Sequence, residues 1–143
     1  MLLYCDASCL VKLYVSEDHS ATARAWIADA QGLVTSELSY VEVCGALVRR
    51  QREGHHSAAA LATILQRFRE DWPSFHRMVV DPEAGAEQVL RHPLRALDAI
   101  HLAAALSLRD AAPDATVAFA SFDDRQRVAA EAEGLSVLGG RVS

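Results

Sequence analysis

Asp6, Glu42, Asp98 and Asp123 are the residues whose type and surroundings point most directly to chemistry in this 143-residue chain. Each stands beside apolar sequence. Asp6 ends the run MLLYC, Glu42 lies four residues from both Leu38 and Ala46, Asp98 precedes Leu102 and Ala105 at helical spacing, and Asp123 follows VAFA closely. Charge placed next to a core needs a partner. Four carboxylates with no lysine cluster among them would repel one another unless cations bound there, and oxygen-only ligands select Mg2+ or Mn2+ over zinc. Two such ions held about 4 Å apart can activate a water and stabilise the leaving oxygen of a phosphodiester displacement. The predicted chemistry is metal-assisted phosphodiester hydrolysis.

Each acid also has a plainer reading. Asp6 can simply cap the helix that follows it, Asp98 can complement a helix dipole, and Glu42 can form a buried pair with an arginine. Asp123 and Asp124 compete for one role, since either can cap the last helix, and Asp123 is the preferred ligand. His101 lies three residues after Asp98 and can orient it, but a satisfied structural histidine is the better reading, so it stays outside the catalytic set. Arg49, Arg50 and Arg52 sit near a helix end, where they either complement the dipole or contact substrate phosphates. His55 and His56 read as loop.

The elements that must position these groups follow from apolar periodicity and punctuation. Strands are expected over 2–5, 33–35, 78–80, 117–120 and 135–138. Helices are expected over 8–14, 20–30, 37–53, a segment from Ser57 to Pro73, a segment opened by Asp81-Pro82 and closed at Pro93, 97–109 and 124–133. Ser36 and Ser57 serve as expected caps, and Gly32, Gly54 and Gly134 as stops. Leu61, Ile64, Leu65, Phe68 and Trp72 form an apolar stripe for the core or a partner. Strands separated by helices imply right-handed crossovers and a parallel sheet covered on both faces. Asp6 and Asp123 would then project from its carboxyl edge, where open α/β sheets bind ligands.

Bulk properties set the limits. A single domain over 1–143 is expected, long enough for a core without disulfides. Cys5, Cys9 and Cys44 make no zinc spacing and read as buried reduced thiols. The apolar start is stopped at Asp6, and the run from Ala99 to Leu108 contains His101 and falls well short of a bilayer span, so a cytoplasmic protein without membrane segments is expected. The net charge of −5 argues against a simple nucleic-acid-binding module, but the four acids carry most of it and bound cations would offset them.

Four segments in order, YCDASCLVKLYV, SELSYVEVCGALVRR, LRALDAIHLAAAL and ASFDDRQRVAAEAEGL, resemble the PIN domain of VapC-type toxins across essentially the whole chain. The resemblance implies a three-layer α/β/α fold with a central parallel sheet of four to five short strands. It implies a Mg2+- or Mn2+-dependent endoribonuclease acting as the toxin of a VapBC-type toxin–antitoxin pair, with RNA as substrate, a VapB-like antitoxin as partner, and a homodimer. The family's acidic positions fall on Asp6, Glu42, Asp98 and Asp123, with Ser8, Lys12 and Ser121 as substrate-contact candidates. Ser121 stands where the family more often has threonine, and Gln126 replaces a usual leucine, a change expected to affect packing more than catalysis.

Rival readings fare worse. A haloacid-dehalogenase-like phosphatase wants a second acid where this chain has Ser8, and a metal-dependent adhesion loop wants a serine where it has Leu10. A solitary PIN nuclease in RNA processing, or a catalytically silent PIN-like interaction protein, are the alternatives that keep the fold.

Overall fold

The computed structural model describes residues 1–139, and these form five strands and seven α-helices. The strands are β1 (Leu2–Cys5), β2 (Gly32–Ser36), β3 (His76–Met78), β4 (Val117–Ala120) and β5 (Ser136–Leu138). The helices are α1 (Ala7–Tyr14), α2 (Ser20–Asp29), α3 (Ser39–Arg52), α4 (Ala58–Asp71), α5 (Pro82–Arg91), α6 (Ala96–Ala111) and α7 (Asp124–Ala132). All four strand pairings are parallel, in the order β3-β2-β1-β4-β5. The α/β class and the parallel sheet are as expected from the sequence.

Side chains alternate across the sheet, as the strand period of two requires. Leu3, Cys5, Ala118 and Ala120 face one layer, packed with Leu10, Val43, Leu47 and Phe68 of α1, α3 and α4. Tyr4, Val34 and Phe119 face the other, packed with Leu102, Ala105, Ala129 and Ala130 of α6 and α7. β4 is buried at every residue, and β1 at every residue after Leu2, which is why both read as uninterrupted apolar runs. In the α4 stripe Phe68 is wholly buried, while Leu61, Ile64, Leu65 and Trp72 pack partly buried against the same core. Gly85 lets α5 lie close on α6: a Cβ there would meet Ile100 Cγ1 at 3.0 Å.

β1 has β2 on one side and β4 on the other, so the chain reverses its direction of winding between them. Such a switch point leaves a crevice beyond the carboxyl ends of the strands. Asp6 follows β1 directly, and Ser121 to Asp123 follow β4.

Most element ends fall within two residues of expectation, and three local assignments differ in kind. The third strand is His76–Met78, not 78–80, because its register pairs His76 with Val34 and Met78 with Ser36. Beyond it Val79 is exposed, and the Val80 amide donates to Glu37 Oε1. Ser36 does not cap α3. It ends β2 and accepts from the Leu38 amide across a turn, and the helix begins three residues later at Ser39, whose hydroxyl is bonded to Thr35. Gly32 starts β2 rather than ending α2, which closes at Ala30. Cys5 and Cys9 are buried free thiols, but Cys44 is only partly buried.

Candidate active site

Asp6 anchors the crevice. It caps α1 with Oδ1, which accepts from the Cys9 amide at 2.9 Å and from Ser8 Oγ at 2.7 Å, and its Oδ2 lies 3.0 Å from Ser121 Oγ. The residue is only 5% exposed. Burial, the largest influence, holds its carboxyl above the ordinary carboxylate value, and the hydrogen bonds from Cys9, Ser8 and Ser121 work against it. Among the described residues neither Asp6 nor Asp123 has an ion-pair partner.

The other three acids arrive from three helices. Glu42 is in the first turn of α3, one step round from the buried Val43. It was expected on the core face but sits at its rim, 22% exposed, with Oε1 2.7 Å from His101 Nε2. Its partner is thus histidine rather than arginine. Asp98 lies in the first turn of α6 and pairs with Arg95 at 3.1 Å. Asp123 caps α7 by accepting from the Gln126 amide, whereas Asp124 points outward, 82% exposed, against Arg127. Asp6, Glu42, Asp98 and Asp123 all line one cavity of about 720 Å³.

Basic groups share that cavity. Lys12, Arg49, Arg50 and Arg95 line it. Lys12 is bonded to Glu17 Oε1 at 2.9 Å and Arg50 to Glu17 Oε2 at 2.7 Å, so one carboxylate holds two cations beside the acids. Lys12 also lies over the Phe122 ring, 4.9 Å from its centroid. A second cavity of about 460 Å³ meets the first at Arg95, Asp98 and Asp123.

The hydroxyls expected at the substrate are engaged with the acids instead. Ser8 is bonded to Asp6. Ser121 accepts from the Asp123 amide at 3.1 Å, and its single proton serves either Asp6 or Gln126 Oε1, which is 2.8 Å away. Gln126 was read as a packing change. It is wholly buried, and its Nε2 donates to the Asp98 carbonyl, so it ties the Asp6 end of the crevice to α6. Gln at the third helical position after an aspartate cap was the available signal, because that spacing forms a capping box. Here the Asp123 amide is satisfied by Ser121, which frees the Gln126 side chain for this bridge. Tyr4, Glu17 and Arg95 carried no comparable signal: Tyr4 read as core, and the partners of the other two are set by packing.

Among the described residues no three His, Cys, Asp or Glu side chains come together as a ready-made metal cage. The sequence-based expectation of four converging ligands therefore needs adjustment. Glu42 and Asp98 are turned toward His101 and Arg95, and the acids line a shared space rather than one point. This donor set still fits Mg2+ or Mn2+. Mg2+ keeps several waters and binds through one or two carboxylates, which a roomy oxygen-lined cavity with an uncompensated buried aspartate provides. No helix among the described residues is long and apolar enough to cross a membrane.

Comparison with known proteins follows the same line. Residues 3–132 match the PIN domain family. The chain is 34% identical over 139 residues to Ribonuclease VapC35 of Mycobacterium tuberculosis, covering 96% of both chains. It is 33% identical over 139 residues to Ribonuclease VapC49 of the same organism, covering 95% of this chain and 94% of that one. Among solved structures, a toxin–antitoxin complex from Klebsiella pneumoniae superposes with a TM-score of 0.61 at 18% identity, covering 88% of this chain and 89% of that one.

Proposed function

Because the chain belongs to the PIN domain family and stands with its VapC ribonucleases, we propose that it is a Mg2+- or Mn2+-dependent endoribonuclease of one domain, and the toxin of a VapBC-type pair. The observation that carries the reading is Asp6. A buried carboxylate without a cationic partner, set at the switch point of the sheet in a cavity shared with Glu42, Asp98 and Asp123, favours a cation in that cavity. Asp6, Asp98 and Asp123 would hold the ion, and Glu42 would position it or its water. Bound there, it supplies Lewis acidity toward the phosphodiester and its attacking water.

The chain's own groups do the rest. Ser8, Ser121 and the Cys9 amide fix the Asp6 carboxylate, so its oxygens are already oriented when the ion arrives. Arg49 and Arg50, with Lys12 in the same cavity, draw the RNA phosphates to a rim that the acids alone would make repulsive. The names of the relatives and the Klebsiella complex support an antitoxin partner. Exposed apolar side chains on α5 and at the start of α6, Val89, Leu90 and Leu97, support self-association as a homodimer, and the cytoplasm is the compartment where RNA would be met.

RNA cleavage with Mn2+, with chelator, and with Asp6→Ala and Asp98→Asn tests the reading. Cleavage by the unaltered chain in Mn2+ only is expected, and equal cleavage in all four samples would refute it.

A further inference from the structure

Behind Glu42 lies a buried chain of polar groups that links the sheet to two helices. Tyr4 of β1 is wholly buried, and its Oη is 2.8 Å from His101 Nδ1 on α6. The other nitrogen of that ring, Nε2, is 2.7 Å from Glu42 Oε1 on α3. His101 itself is 1% exposed. An ionised carboxylate only accepts hydrogen bonds, so Nε2 carries a proton, and in the neutral ring Nδ1 accepts from the Tyr4 hydroxyl. Glu42 Oε2 makes no hydrogen bond among the described residues and is the oxygen left for the cavity.

We propose that Tyr4 and His101 form a positioning relay: the Tyr4 hydroxyl locks His101 in its Nε2–H tautomer, and His101 commits one oxygen of Glu42, so that Glu42 presents a single oxygen to the cation. The inference rests on the metal-site reading above. A glutamate on an open helix turn would otherwise sample several rotamers and both binding modes, and the relay removes that freedom before the ion binds. A carboxylate, a histidine and a hydroxyl in series is the arrangement by which outer groups orient ligands, and loss of such a group typically lowers metal affinity about 10–100-fold.

The test uses Mn2+ titration calorimetry and thermal melts in chelator. Tyr4→Phe keeps the ring, which stacks on Phe119 at 5.7 Å, and His101→Leu removes the donor. Both are expected to weaken Mn2+ binding at least about tenfold while the chelated proteins still melt cooperatively. His101→Gln, whose amide can donate to Glu42, is expected to recover part of the loss. Folded variants that bind Mn2+ within about twofold of the unaltered chain would overturn the relay and leave the nuclease reading standing. An unaltered chain that binds no Mn2+ would overturn the metal site and the relay with it. Nitrogen-15 NMR of the His101 ring in chelated, unaltered protein gives a check independent of any variant's folding: the Nε2–H tautomer is expected, and the Nδ1–H tautomer would overturn the proposal.

Discussion

Replacing Asp6 by asparagine and by alanine separates its two roles. The asparagine can keep every hydrogen bond at the site. Its Oδ1 still accepts from Cys9 and Ser8, its Nδ2 donates to Ser121 Oγ, and Ser121 donates on to Gln126. The alanine removes the α1 cap and orphans the buried Cys9 amide, while Ser121 retains Gln126 and Ser8 turns to solvent. Both variants lose the buried charge, so they differ by the cap and its hydrogen bond, about 1–2 kcal/mol. At this chain length that is roughly 3–8 °C in Tm. In chelator, Asp6→Asn is expected to melt no lower than the unaltered protein, and Asp6→Ala several degrees below Asp6→Asn. Mn2+ at about a hundred times its Kd should then stabilise the unaltered chain by about 2.7 kcal/mol and neither variant. Thermal melts with and without Mn2+, alongside RNA cleavage, read all of this. An Asp6→Asn protein that melts below the unaltered chain in chelator, or gains as much from Mn2+, would refute the claim that Asp6 is an uncompensated carboxylate awaiting a cation.

Three further outcomes follow from the same geometry. The Asp6 carboxyl is raised by burial, so the folded state holds its proton more tightly; in chelator its contribution is present below the unfolded carboxylate value and lost as pH rises through the folded one, and urea melts should show that slope vanish in Asp6→Asn. Arg49→Ala and Arg50→Ala should each weaken binding of an uncleavable RNA analogue and reduce the slope of log K against log salt by about 0.7, whereas an unchanged slope would place them off the RNA path. Gly85→Ala should destabilise by about 1–3 kcal/mol through contact with Ile100, while Gly45→Ala, whose Cβ meets nothing within 4 Å, should gain up to about 1 kcal/mol in helix stability; denaturant melts that rank them the other way would contradict the packing.

The sequence was most legible where local rules and burial agree. β4 was delimited to the residue, because VAFA is apolar throughout and follows the break at Pro113 and Asp114. Ser57 was recognisable as a cap and Asp81-Pro82 as a helix start, and Ser57 and Asp81 each accept from the amide three residues on. β3 was misplaced because two valines, Val79 and Val80, look more like strand than His76 and Arg77, yet pairing with β2 decides where the strand lies. Ser36 misled for a similar reason: a serine before an acidic residue has the form of a cap, but the β2 ladder claims it.

For the candidate site, the sequence by itself determined which groups can carry charge near a core and that sheet topology would bring Asp6 and Asp123 to one edge. Those follow from side-chain chemistry and chain order, which need no long-range coordinates. Only the tertiary structure decided the partners: His101 on Glu42 rather than on Asp98, Glu17 between Lys12 and Arg50, Gln126 bridging Ser121 and the Asp98 carbonyl. Each joins residues that packing brings within hydrogen-bond range, across as many as 59 positions of sequence for His101 and Glu42. The direction of one side chain there depends on the whole fold, because a hydrogen bond weakens within an ångström and no periodicity in the chain records that distance.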